Sequence, residues 1–422
     1  MSKRDDALSK VTEFYLNSGD FNGLPIREIT HEFGLEREGL ENLLTSLIRE
    51  GTVSLNFGDI HPNAHIKAFD EEPAETQIEK LQRLDLEHVC AYPTKSHLQE
   101  VVDVSVYQDR PFTLRLALGE AQLSFKAFDL AVLEDYRNDP RYYYTNNDIS
   151  GTLSVTEEHF KSKGMPASDK VLLQTFGFAY DADFNRAVAA FLRYLAGLSP
   201  EHQQIWNAKL LEGDYKLHPD YYKITMGAWP EGISIFDAFV VELYHINEMC
   251  KLMSRPPLFK RDLRDDKKPK ELSFLIRPTS KEYRDFVHTL DKAISENINR
   301  KFFQNEVPFE YEEVRKDGKV IVRQKGTILI LDEWLRQNFT PNDENLFEEM
   351  INTFKEIRRL RNRPAHAIDD NTFDQKYFKL QRELIKKAYE AIRTLRFIFA
   401  DHPNVKGYEI PRRLESGKIW IY

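Results

Sequence analysis

The sequence predicts a multi-domain, mostly helical α+β protein, with a winged-helix-like N-terminus, a mixed α+β middle and a C-terminal helical bundle with an inserted hairpin. Three observations predict it. The 422 residues exceed one ordinary core, since domains run to about 150 residues. Apolar residues recur at helical spacing over the first 50 positions and again from Ser280 onward, whereas the stretch between them carries short β-rich runs. The composition, 41% hydrophobic and 30% charged, is that of packed cores under a solvated surface rather than of a disordered chain.

Residues 1–58 read as three helices and a short hairpin. Leu8, Val11, Phe14 and Tyr15 share a helical face. Pro25 opens a second helix through Phe33, where Gly34 stops it, and Leu40, Leu43, Leu44, Leu47 and Ile48 stripe a third. Gly51 then precedes a strand-like run, Thr52 to Phe57, closed by Gly58. The order resembles a winged helix-turn-helix, whose third helix is the one offered to DNA. The charges oppose that use: residues 1–57 hold six Lys and Arg against ten Asp and Glu, and the third helix starts with Glu36, Arg37 and Glu38. A protein-contact or packing module is the expectation, with a transcriptional regulator as the alternative.

Residues 59–75 form a linker rich in Pro, Asn, Asp and Glu. It contains His61 and His65, whose spacing suits a metal only on a helix; Pro62 and Asn63 make loop histidines the expectation. Residues 76–270 form the α+β middle domain, expected to be a sensor or partner-binding region. A helix runs from Glu75 to about Leu86, and strands are expected at Phe112–Leu118, Gln122–Phe125, Tyr142–Thr145 and Gly151–Val155. After Asp169 the pattern turns helical, through Leu172, Leu173 and Phe176 and then Phe184, Val188, Phe191, Leu192 and Leu195, and another buried helix spans Asp237 to Met253. The run Leu217 to Tyr222, with His218 and Asp220, reads as aromatic core rather than a ligand pocket. Lys260 to Lys270, with mixed charges and a proline, marks the boundary.

The bundle occupies residues 275–400, ahead of a tail at 401–422. Phe286, Leu290, Ile294, Ile298 and Phe302 recur every four residues, which predicts a helix running to about Phe303. A hairpin follows, Phe309–Val314 and Lys319–Arg323, about the Asp317-Gly318 turn. Helices are expected at Ile328–Gln337, Leu346–Arg361 and about Asp374–Phe399.

Composition narrows function. Cys90 and Cys250 are far apart, without a CxxC or Cys/His cluster, so neither a disulfide framework nor a zinc site is expected. The first ten residues lack the apolar core of a signal peptide, and no apolar run reaches about 18 residues, so the expectation is a cytoplasmic protein with no membrane partner. No Gly-rich phosphate loop, Walker lysine or nucleophile elbow is present, and no metal or cofactor is expected. The net charge is −9, but residues 280–422 hold 27 Lys and Arg against 24 Asp and Glu. That makes this part +3 and the rest −12, which leaves room for a local anion site there.

Such a site is offered by Lys355 to His366, where Lys355, Arg358, Arg359, Arg361 and Arg363 crowd the end of a helix. Pro364 disfavours helical geometry at Arg363, so the helix stops or kinks at about Asn362, leaving Arg361, Asn362 and His366 at a break. Asp291, Ser295, Asn297 and Asn299 form a second polar set on the Phe286 helix, with Asp291 and Ser295 one turn apart; no catalytic role is assigned to them.

An Arg-x4-His element with Asn directly after the Arg, in an all-helical C-terminal bundle, resembles the signature of the HEPN superfamily (higher eukaryotes and prokaryotes nucleotide-binding domains). Arg361 and His366 match its two positions and Asn362 the polar one; Pro364 is an unusual occupant of the spacer. The resemblance covers roughly residues 275–400. It implies a metal-independent endoribonuclease of the kind found in phage defence and toxin–antitoxin systems. Its active site is composite, formed where two motifs meet across a homodimer or larger homo-oligomer, and its partner is RNA. A further protein partner is expected through the N-terminal or middle domain.

The chemistry agrees. Cleaving RNA without metal needs a proton taken from the 2′-OH, a proton given to the leaving oxygen and a stabiliser for the phosphate charge. Histidine is the side-chain type suited to either transfer near neutral pH, and His366 is placed to supply it. Arg361 offers a bidentate fork and Asn362 an orienting amide, while Lys355, Arg358, Arg359 and Arg363 would hold flanking RNA phosphates. The alternative is a non-catalytic interaction or nucleotide-binding module, whose cations decorate a helix C-terminus.

Overall fold

A serine begins the chain's first helix by answering its free backbone donors. Ser2 accepts from the Asp5 amide while the Asp5 carboxylate accepts from the Ser2 amide, a reciprocal cap over α1 (Lys3–Asn17). The computed structural model describes residues 2–61, 63–68, 71–341, 343–362 and 370–421. They form a mostly helical α+β protein that divides into two compact units, Met1–Tyr144 with Ser150–Pro230, and Thr145–Ile149 with Glu231–Tyr422. The division falls ahead of the charged stretch at Lys260–Lys270, and the long helix near Asp237 belongs to the second unit.

In the first unit, α2 (Ile26–Phe33) ends at Gly34, whose φ of 58° is the left-handed cap geometry that favours glycine, and α3 (Arg37–Arg49) follows. Val11, Ile26, Ile29, Leu40, Leu44 and Leu47 bury one another in a single core. Strands β1 (Leu24–Pro25), β2 (Val53–Asn56) and β3 (Cys90–Pro93) form an antiparallel sheet in the order β1-β3-β2. The winged-helix-like layout stands, but the expected local hairpin does not: β2 pairs with β3, far beyond the linker and α4 (Ala74–Arg83). The linker is tied down rather than free. The Asn56 side-chain amide donates to the Ala64 and Ile66 carbonyls, and the Lys67 backbone amide donates to Gln122. His65 faces the Gly23 carbonyl at 3.2 Å.

The larger sheet runs β4-β8-β7-β6-β5, with β4 Phe125–Phe128, β5 Tyr142–Asn146, β6 Ser150–Val155, β7 Leu172–Tyr180 and β8 Arg186–Phe191. Three expectations are corrected here. The segment expected as a strand at Phe112–Leu118 is helical over Pro111–Ala117. Pro111 suits a first helical position, and the Gln203 side-chain carbonyl accepts from the Phe112 and Thr113 amides, a cap delivered by a distant residue. The segment expected as helical from Leu172 to Leu195 is β7 and β8, with helix only at Leu192–Ala196. Strands buried on both faces lose the alternation that betrays a strand, and Ala187 to Phe191 are all buried. The expected strand at Gln122–Phe125 starts only at Phe125. Gln122 is instead buried, its amide donating to the Asp20 carbonyl. Gly177 on β7 lies under the Tyr221 ring, and a Cβ there would come within 2.1 Å of it. His218 is buried and caps the helix Pro219–Thr225; within the Leu217–Tyr222 run His218, Asp220 and Tyr221 are core, whereas Tyr222 is exposed.

The second unit is built on α5 (Ile235–Leu252), capped by Ser234, and α9 (Lys376–Ala400). Between them a buried ion pair joins Glu242 and Arg396. Around these pack α6 (Ser280–Asp291), α7 (Thr327–Asn338) and α8 (Glu344–Asn362), with the hairpin β9 (Glu310–Val314) and β10 (Val320–Gln324) inserted ahead of α7. Phe302 stacks on Phe399 and meets Trp334 edge-on, at centroid separations of 5.8 and 4.7 Å. The helix expected to run to Phe303 is corrected: α6 stops at Asp291, widens into a π turn over Lys292–Glu296, and resumes as a 3₁₀ turn at Arg300–Phe303. The break is sequence-encoded, because Asn297 exchanges hydrogen bonds with the Arg261 backbone and Asn299 donates to the Pro257 carbonyl. Phe286, Leu290, Ile294, Ile298 and Phe302 remain buried throughout. Among the described residues no helix is long and apolar enough to cross a membrane.

His245 on α5 is buried, 2.7 Å from the Tyr408 hydroxyl. Burial first, then the Arg396 and Arg264 charges, lower its pKa to about 4. The unfolded chain therefore binds the extra proton. Stability from neutral His245 is present above the unfolded value of 6.5 and is lost as pH falls toward about 4. His245→Gln, which keeps a partner for Tyr408, is expected to flatten this acid limb of urea-unfolding stability while leaving the high-pH plateau within about 1 kcal/mol.

Candidate functional site

Helix α8 carries its cations at three-residue spacing, so Lys355, Arg358 and Arg361 share one side, while Phe347, Met350, Ile351, Phe354 and Ile357 face the core. Each of the three meets an acid from a neighbouring element. Lys355 Nζ lies 3.2 Å from Asp332 on α7, which also holds Arg336 at 2.8 Å. Arg358 Nη1 lies 2.7 Å from Asp291 Oδ2 at the end of α6. Arg361 Nη2 lies 3.4 Å from Glu296 Oε1 in the π turn. Arg359 is exposed on another face.

Asp291 is the anchor. Its side chain is 0% exposed, and it accepts from the Ser295 hydroxyl at 2.5 Å as well as from Arg358. Arg361 Nε lies 3.9 Å away. The π turn is held from outside by Thr327, which donates to the Ser295 carbonyl at 2.6 Å. Such turns are often found at functional sites.

Arg361 is half-buried and reaches two other groups. Its Nε–H donates to His288 Nδ1 at 3.5 Å, and its Nη1 approaches Asn362 Oδ1 at 3.4 Å. A neutral His288 that accepts on Nδ1 carries its proton on Nε2, which makes the far side of the ring a donor. Guanidinium, imidazole and amide therefore meet at one helix end, backed by a buried carboxylate.

No family model matches this chain, and neither a curated protein nor a solved structure matches it. The site is therefore described by its own geometry. Of the sequence-derived residues, Arg361 and Asn362 lie together, whereas His366 and Arg363 lie outside the described residues. Lys355 and Arg358 are each engaged by a carboxylate, Asp332 and Asp291. His288 and Glu296 were not singled out by sequence; the available signal was the recurrence of His288, Asp291 and Ser295 at i, i+3 and i+7 along one face. Among the described residues no group of three His, Cys, Asp or Glu side chains is placed to hold a metal ion.

Truncating Arg358 leaves a buried carboxylate with the Ser295 hydroxyl and, at 3.9 Å, Arg361 Nε as its remaining neighbours. Arg358→Ala is expected to cost about 2 kcal/mol in urea unfolding, discounted because the guanidinium is partly solvated. Arg359→Ala is expected to stay within about 0.5 kcal/mol.

Proposed function

We propose that the protein is a metal-independent endoribonuclease, acting as a phage-defence or toxin effector, with Arg361, Asn362 and His366 as its catalytic residues. The observation that supports this most is the meeting of Arg361 with an imidazole, His288, at the end of α8. In this reading Arg361 takes the scissile phosphate in its fork and Asn362 orients it. One imidazole removes the 2′-OH proton as that oxygen attacks phosphorus. The other gives a proton to the departing 5′-oxygen, leaving a 2′,3′-cyclic phosphate. His366 supplies one of these groups. The second comes from a second copy of the chain in a composite site, or from His288 of the same chain. Arg359 and Arg363 would hold flanking phosphates, with Lys355 and Arg358 doing so only by leaving their carboxylates.

One observation favours a second reading, a non-catalytic interaction or nucleotide-binding module. Arg358 and Arg361 are already balanced by Asp291 and Glu296, which is what a purely structural helix end would show.

Incubating purified protein with mixed RNA and EDTA separates the two. Wild type is expected to cleave, with Arg361→Ala and His366→Ala each slower by at least about 100-fold and His288→Ala slowed comparably if the second imidazole is its own. Cleavage that survives both Arg361→Ala and His366→Ala would sink the site assignment. A wild type that leaves RNA intact while Arg361→Ala alters nucleotide binding supports the module instead.

A further inference from the structure

The hairpin of β9 and β10 stands apart from the core. Val314, Val320 and Val322 are 70%, 58% and 57% exposed and line one of its faces, and among the described residues neither strand pairs with a third. An isolated two-stranded ribbon is marginal in water, and free strand edges invite pairing. The ladder fixes which groups each edge offers. The Arg315 amide donates to Lys319 and the Lys325 amide to Phe309, so the odd-numbered residues of β9 form the hydrogen-bonded pairs within the hairpin. On β10 the backbone groups of Val320, Val322 and Gln324 therefore face outward.

The two edges differ in charge. On β9, a two-fold axis at Glu312, Tyr311 or Glu313 sets Glu312 against Glu312, Glu310 against Glu312, or Glu313 against Glu313, and all three repel. On β10, the residues from Val320 to Gln324 carry one charge, Arg323, which is already paired with Glu313 of its own hairpin. A two-fold axis at Val322 sets Val322 against Val322, Val320 against Gln324 and Ile321 against Arg323. Lys319 then meets Lys325, whose ammonium is held by Glu333 at 2.6 Å. Moving the axis by one residue either way sets Arg323 against Lys319 or against another Arg323. One register is thus free of like-charge contacts between its central residues, and it pairs all three outward-facing positions.

We infer that the β10 edge is a self-association surface, where a second copy of this chain adds its own β10 to make a four-stranded antiparallel sheet centred on Val322. The closed two-fold arrangement uses the same edge on both copies and leaves the glutamate-rich edges outside. The contact is small, so the dimer is of micromolar rather than nanomolar affinity.

Sedimentation velocity of the full chain up to about 100 μM tests it. Val322→Pro removes one outward amide that the hairpin itself does not use, and Glu312→Pro does the same on the opposite edge. Wild type and Glu312→Pro are expected to dimerise, and Val322→Pro to weaken the dimer at least about tenfold with an unchanged circular dichroism spectrum. In Val322→Cys the two thiols face each other across a hydrogen-bonded pair, with Cα atoms about 5.5 Å apart, so mild oxidation is expected to give a covalent dimer. Cys90 and Cys250 are buried and leave that readout clean. A wild type that stays monomeric while Val322→Cys fails to cross-link overturns the inference, as does a dimer that Val322→Pro leaves intact.

Discussion

The buried carboxylate of Asp291 is the constraint on which the C-terminal unit's helix end depends. A charge with no access to water is stable only when hydrogen-bonded and paired, and Asp291 is both, through Ser295 and Arg358. Satisfying it ties three elements at one point: the end of α6, the π turn and the last two turns of α8. Arg361 then has little freedom, since Arg358 one turn earlier is already fixed, and its guanidinium falls beside His288. Residues 73 positions apart in the chain thus come within hydrogen-bonding reach.

Much of the bundle was legible because its helices each expose one face. A stripe such as Phe347, Met350, Ile351, Phe354 and Ile357 can arise from little else, and the Asp317-Gly318 turn announced the hairpin. The first unit was harder to read. Strand β8 is buried on both faces, so its Ala187 to Phe191 run looks the same whether wound or extended. The Pro111–Ala117 helix depends on Gln203, some ninety residues away, to satisfy its first amides. Local sequence carries no trace of a cap supplied from elsewhere in the fold.

The site divides in the same way. Arg361 and Asn362 stood out because arginines crowd a helix end before a proline, a local signal. His288 sits between Val287 and Thr289 on α6 and gains significance only from Arg361 across the bundle. Arg358 showed the reverse limit: as a sequence it is one more exposed cation, and only the depth of Asp291 makes it a strut. Charge counts detected the sign of the region without saying which cations are already spoken for.

The π turn at Lys292–Glu296 has one more consequence. A regular α-helix turns about 100° for each residue, so one residue more or fewer rotates everything downstream by that angle. Here the widened turn absorbs such an offset, keeping Ile294, Ile298 and Phe302 inside while Glu296 reaches the arginines of α8. The arrangement is written in the length of the segment as much as in its side chains. A chain lacking one position between Asp291 and Asn297 would hardly differ in composition and would lose the geometry.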